Sequence, residues 1–261
     1  MAPPVLVLTG ASRGIGLAIA RTLLTVHGAR VATLQRTITP ELEALKQQFP
    51  DSLLTLKGDV AVPQDNAAVV DAAVKQWGTL NGLVLNAGSL EPMGKLADVP
   101  LTSLVPSLET NLLAAIYLLQ PALPHLRASA APGAPSRVIF VSSGASTGAY
   151  QAWGMYSLAK AGLNSLARTF AVEEKDAGVA FLSVRPGVVD TEMQREIRTV
   201  GPAVMKPNDM AKFNQLHEGG QLLPPDACGS VIAGCAVGID LAISGEYVDW
   251  ADERFAQWRK Q

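Results

Sequence analysis

Apolar residues along this chain fall into short runs separated by longer segments with helical spacing. The runs Val5–Leu8, Arg30–Leu34, Leu53–Lys57, Gly82–Asn86, Arg137–Ser142, Ala180–Val184 and Glu246–Val248 predict strands. Most are continuous rather than alternating, as strands are when helices cover both faces of a parallel sheet. Between them, Gly14–Val26, Pro40–Phe49, Val62–Trp77, Leu101–Leu126, Trp153–Asp176, Thr191–Thr199 and Pro225–Gly234 predict helices. Such alternation implies right-handed strand–helix–strand units in an α/β fold, a three-layer doubly wound parallel sheet of about seven strands. Ser129–Pro135 reads as a surface turn. The polar stretch at about 192–224, rich in Gly and Pro, reads as a mobile flap over a substrate. With no internal repeat, residues 1–261 read as one domain.

Composition narrows the function classes. Hydrophobic residues make up 48% of the 261 and charged ones 17%, against about 25% charged on average, so the chain has a large core and is not intrinsically disordered. With 21 Lys+Arg against 23 Asp+Glu the net charge is −2, which argues against nucleic acid as a partner. Cys228 and Cys235 lie seven apart in an apolar stretch and read as small core residues on one helix face, neither disulfide framework nor metal site. No glycosylation sequon is present. The start lacks a basic region and runs straight into a glycine-rich turn, unlike a signal peptide. The apolar stretch Val231–Ile243, broken by Gly234, Gly238 and Asp240, is too short to span a bilayer. Arg259-Lys260-Gln261 carries no lipidation signal. A cytoplasmic protein without a membrane partner is the expectation.

Candidate chemistry begins at the first strand's end. Gly10, Ser12, Arg13, Gly14, Ile15 and Gly16 form a glycine-rich turn opening a helix, the arrangement of a dinucleotide-binding Rossmann fold. The glycines allow a sharp turn and close approach to a pyrophosphate, which the helix N-terminus attracts. After the second strand an acidic residue would accept from the ribose 2′-OH of NAD; here Gln35 takes that position and Arg36 follows. Arg13 and Arg36 together form a clamp for the 2′-phosphate of NADP(H), since guanidinium forks match phosphate. Asp59 and Val60 after the third strand suit the adenine, and Asn86, Ala87 and Gly88 after the fourth suit the adenine ribose.

The other half of the pattern is catalytic. Tyr156 and Lys160, four apart, share one helix face. A phenol with a pKa of about 10 is a poor acid at neutral pH unless a neighbouring ammonium favours its phenolate. One of Ser142 and Ser143 would polarise a carbonyl oxygen. Asn111, polar within an apolar helix, would bend that helix or hold a water in a relay to Lys160.

The ordered set Thr9-Gly10-x-x-x-Gly14-x-Gly16, Asn86-Ala87-Gly88, Asn111, Ser143, Tyr156-x-x-x-Lys160 and Pro186-Gly187 with Thr191 resembles the short-chain dehydrogenase/reductase family. The resemblance implies a tetrad of Ser143, Tyr156, Lys160 and Asn111, with Ser142 structural. It also implies hydride transfer with NAD(P)H and a nicotinamide contact through Pro186, Gly187, Val189 and Thr191, with Tyr156 and Lys160 touching the cofactor. A narrower resemblance, to benzil reductases and sepiapterin reductase-like carbonyl reductases, rests on Leu90–Gly94, Trp153–Tyr156, Val188–Gln194 with Ile197-Arg198, and Ser244–Val248. It implies a small-molecule carbonyl substrate, an α-diketone such as benzil, with Leu90, Tyr150, Trp153 and Met193 as pocket walls. The broader family resemblance implies a homodimer or homotetramer, joined through the helices Leu101–Leu126 and Trp153–Asp176. Two other readings stay open: reduction of a biosynthetic carbonyl, where an acidic anchor would mark a pterin and a basic patch a carrier-bound acyl chain, and a silent NADP-binding sensor.

Overall fold

The seven predicted strands form one parallel sheet in the computed structural model, which describes residues 2–259. Met1, Lys260 and Gln261 lie outside the described residues, and with them most of the C-terminal tripeptide read for lipidation. The strands are β1 (Val5–Thr9), β2 (Arg30–Gln35), β3 (Leu53–Lys57), β4 (Gly82–Leu85), β5 (Ser136–Val141), β6 (Val179–Arg185) and β7 (Tyr247–Asp249), in the order β3-β2-β1-β4-β5-β6-β7. The chain winds outward to β3 and then returns to place β4 beside β1. That reversal leaves a crevice at the carboxyl ends of β1 and β4, where open α/β sheets bind ligands.

Strand side chains go alternately to two cores. In β1, Leu6 and Leu8 join α1 (Gly14–Thr25) and α2 (Pro40–Gln48), while Val5 and Val7 join α3 (Pro63–Trp77) on the other face. In β6, Ala180, Leu182 and Val184 face the first core and Val179 and Phe181 the second. Burial on both faces explains the unbroken apolar runs. The predicted helix Leu101–Leu126 is instead a composite: a 3₁₀ turn Leu101–Ser103, α4 (Leu104–Leu108), a π-turn Glu109–Leu113, and α5 (Ala114–Ser129). Over Leu101–Ser129 it is long and apolar enough to cross a membrane by length and composition only, as core helices also are. Its buried residues, among them Leu118, Leu119 and Leu126, pack with α6 (Gly154–Glu173) and α3 on one face of the sheet.

The stretch read as a mobile flap is two helices, α7 (Glu192–Val204) and α8 (Pro207–Glu218). Ile197, Met205, Met210 and Phe213 pack onto Leu90, Trp153 and Tyr156 as a third apolar cluster. The sequence conceals this because α8 buries only Met210 and Phe213.

The last helix, α9 (Pro225–Gly238), packs on α1 so closely that a Cβ on Gly229 would lie 2.8 Å from that of Ala18. On its other side Trp258 lies in a groove floored by Gly234 and Gly238, where an added Cβ would meet the indole at 2.2 and 2.5 Å. Gly234→Ala is expected to cost about 1–3 kcal/mol by overpacking, measured by chemical denaturation; unchanged stability would show that the indole moves away freely.

Candidate active site

Hydrogen bonds stitch the glycine-rich turn to β2 and the segment that follows it. Gly10 N donates to Leu34 O (2.9 Å), Ser12 Oγ to Thr37 O, and Thr39 Oγ1 to Ser12 O (2.7 Å). These bonds join the segments carrying Arg13 and Arg36 at one end of a cleft. Both side chains are exposed, and neither is paired with a carboxylate among the described residues. Gln35 turns inward: it is buried, and its Nε2 donates to Leu56 O (2.9 Å). That end of the cleft is therefore cationic, with no carboxylate at the end of β2.

Asn86 ties β4 to β1. Its Nδ2 donates to Thr9 O (3.0 Å) and Gly10 O (3.1 Å), and Thr9 Oγ1 accepts from Asn86 N and Ala87 N. Gly16 must lack a side chain, because a Cβ would lie 2.0 Å from Gly10 O and 2.6 Å from Asn86 Nδ2. Gly14, at φ 55°, leaves Thr191 of the opposite wall 3.2 Å from where its Cβ would be. This cradle of bare backbone, opening at the start of α1, fits a dinucleotide pyrophosphate.

Every residue assigned from sequence to cofactor or substrate lines one cleft of about 670 Å³, running from Arg13 and Arg36 to Trp153. Ser143, Tyr156 and Lys160 lie along it. Asn111 does not line it; it stands behind Gly88, in the π-turn. Its Oδ1 accepts from Ser89 N (2.9 Å) and its Nδ2 donates to Ser107 O (3.0 Å). A Cβ on Gly88 would lie 3.0 Å from Asn111 Oδ1 and 3.6 Å from Lys160 Nζ, so Gly88 is what lets these two groups approach. The side chain neither kinks a continuous α-helix nor lies free: it marks a local widening of the helix.

Electrostatics depart from the simple expectation. Burial pushes the Tyr156 hydroxyl up to about 12, opposed by its hydrogen bond with Ser143. Lys160 sends its ammonium to Val141 O (2.7 Å), 5.5 Å from the centre of the Tyr156 ring, and burial lowers it to about 8. The lowering of Tyr156 by Lys160 expected from sequence is corrected: burial dominates and raises the phenol, and the group that opposes it is Ser143 rather than Lys160. Because the folded value of Lys160 lies below its usual 10.5, its contribution to stability is full above that value and is lost as pH falls through about 8. The stability difference between wild type and Lys160→Met is expected to grow in favour of wild type from pH ~7 to ~10. Urea denaturation at each pH checks this, and a flat difference would overturn it. Taking the difference cancels Cys228 and Cys235, whose thiols burial pushes up and which act in the opposite sense above pH ~9.

The far end of the cleft is aromatic. Tyr150 and Trp153 lie 4.6 Å apart between ring centres, Trp153 and Phe213 5.4 Å, and Trp153 and Tyr156 6.3 Å edge to face. Leu90 and Met193 line it as expected, but so do Ile197, Lys212 and Phe213 of α7 and α8, which the sequence reading missed. Pro207 in the first turn with Met210 and Phe213 three apart is the signal that was available. Glu192 and Glu196 also line the cleft; burial raises Glu196, helped by Glu91 and Glu192. Among the described residues no cluster of His, Cys, Asp and Glu is arranged for a metal.

Comparison with known proteins matches residues 4–200 to the short chain dehydrogenase family. The chain belongs to that family. It is therefore an oxidoreductase of a family that binds nicotinamide cofactors. As a short chain dehydrogenase it is 36% identical over 250 residues to an uncharacterised oxidoreductase of Schizosaccharomyces pombe, covering 95% of this chain and 97% of the relative. It is 33% identical over 257 residues to the (S)-benzoin-forming benzil reductase of Saccharomyces cerevisiae, covering 96% and 97%. A crystal structure of a Saccharomyces cerevisiae short chain dehydrogenase/reductase superposes with a TM-score of 0.92 at 33% identity, over 98% of this chain and 100% of the other.

Proposed function

We propose that this dehydrogenase is an NADPH-dependent carbonyl reductase acting on a ketone, an α-diketone such as benzil, and yielding a hydroxyketone. The observation carrying this is one continuous cleft, with two arginines at one end that no carboxylate pairs among the described residues, Ser143 and Tyr156 along it and aromatic rings at the other. Similarity to benzil reductases supports the substrate class. Arg13 and Arg36 would hold the 2′-phosphate, Gly10–Gly16 the pyrophosphate, Asp59 and Val60 the adenine, and Asn86–Gly88 its ribose. Tyr156 and Lys160 would hold the nicotinamide ribose, and Pro186, Gly187, Val189 and Thr191 the nicotinamide itself. When bound, the cofactor supplies the hydride.

Ser143 and Tyr156 grip the substrate oxygen, and Tyr156 gives its proton to that oxygen as negative charge develops there. Lys160, poised near neutrality, returns a proton to Tyr156, and Asn111 anchors the path to solvent. Leu90, Tyr150, Trp153 and Met193 shape the pocket. The whole chain acts as one cytoplasmic domain, with homo-oligomers joined through α4–α5 and α6. A second reading, reduction of a pterin side chain, draws on Glu192 and Glu196, carboxylates that would anchor an amino-bearing ring. A panel of benzil, other 1,2-diketones and pterin carbonyls, with chiral analysis of the product, tests both. Diketone turnover with pterins inert supports the first, pterin preference the second, and no NADPH oxidation despite tight NADPH binding overturns both in favour of a sensor.

A further inference from the structure

The main-chain carbonyl of Ser143 is held from two sides. Ser146 Oγ donates to it at 2.7 Å and Tyr247 Oη at 2.9 Å. Ser146 Oγ in turn accepts from Asn164 Nδ2 at 2.9 Å, and Asn164 Oδ1 accepts from Ser142 Oγ at 2.7 Å. Asn164 and Ser142 are buried. Asn164 lies on α6 one step beyond Lys160 and two beyond Tyr156, so residues 156, 160 and 164 follow one another along the same helix face. The hydroxyl of Ser146 has one proton. Because the Asn164 amide N–H already donates to its oxygen, that proton is directed to the Ser143 carbonyl.

We propose that Asn164 is a positioning residue: acting through Ser146, and braced by Tyr247 from β7, it fixes the Ser143 main chain relative to the helix that carries Tyr156. This rests on the reading that Ser143 and Tyr156 share the substrate oxygen. One helix then sets both ends of the pair, the phenol directly and the serine through a side-chain bridge. Polar networks of this kind hold geometry tightly when every member is satisfied, and small misplacements of a reacting group are costly in rate.

The test uses full-length protein with NADPH and the best diketone of the panel, and fluorescence titration of NADPH as the check on folding. Ser146→Ala and Tyr247→Phe are each expected to lower kcat roughly three- to tenfold, the worth of one hydrogen bond, with NADPH affinity unchanged. Ser146→Thr, which keeps the hydroxyl, retains wild-type kcat. Asn164→Asp can only accept from Ser146 and turns its proton away from Ser143. The double variant Asn164→Asp/Ser146→Ala is therefore no slower in kcat than the slower single variant, whereas a purely structural role would show this coupling in stability and leave kcat unmoved. Wild-type kcat in both Ser146→Ala and Tyr247→Phe, or additive losses in the double variant, would overturn the proposal. Ser143→Ala, run alongside, separates the two layers. If it keeps its turnover, the role of Ser143 falls and the positioning role with it; if it is slow while Ser146→Ala and Tyr247→Phe are normal, only the positioning role falls.

Discussion

Tyr156→Phe is expected to lower kcat for carbonyl reduction by about 10²–10⁴-fold, the usual contribution of a positioned general acid, while NADPH binds with near wild-type affinity. The substitution removes one hydroxyl and leaves a buried ring of the same shape, so the edge-to-face contact with Trp153 at 6.3 Å persists. What disappears is the proton. The phenol, raised to about 12 by burial, stays fully protonated at neutral pH, which suits an acid that must hold its proton until the substrate oxygen becomes basic. Lys160 at about 8 is the group nearer neutrality, and in the proposed mechanism it resupplies that proton. Single-turnover measurement with NADPH and a diketone checks this. Retention of more than a tenth of the wild-type rate would assign the proton to another group.

The second large effect concerns the nucleotide. Wild type is expected to prefer NADPH over NADH in kcat/KM, and Arg36→Asp to reduce that ratio by about 10²–10³-fold, since it removes a charge-assisted fork and adds a charge that repels phosphate. The exposed position of Arg36 on the cleft adds a second signature. An interaction between exposed charges is screened, so the preference should narrow as ionic strength rises. Arg13→Ala should lower the ratio less, because it removes attraction without adding repulsion. Equal use of both nucleotides by wild type would overturn the assignment.

Some of this was readable from the chain because local chemistry and position agreed. Gly10, Gly14 and Gly16 between a strand and a helix admit few alternatives, and every strand began within one residue of its expected place. The failures share one cause: tertiary contacts that leave a faint trace in local pattern. Phe213 lines the pocket and Met210 packs α8 into the cluster beside it, yet two buried residues in a polar dozen carry little periodicity. Nothing in Tyr156-x-x-x-Lys160 reveals that the ammonium turns to Val141 O, since that carbonyl lies at the end of a strand nineteen positions earlier. Asn164 was likewise invisible, its value lying in partners on the loop after β5.

The π-turn at Glu109–Leu113 makes chain length itself a constraint. Such a turn holds one residue more than the α-helical turns on either side. Five residues of π-turn and four of regular helix both turn through about 400°, so loss of one residue between 109 and 113 would let the segment relax into regular helix while α4 and α5 kept the sides they present. What would go is the bulge itself, and with it the place from which Asn111 meets the Ser89 amide. Substitutions in this stretch adjust a contact; a deletion would spare the packing of the helix and remove the site feature it carries.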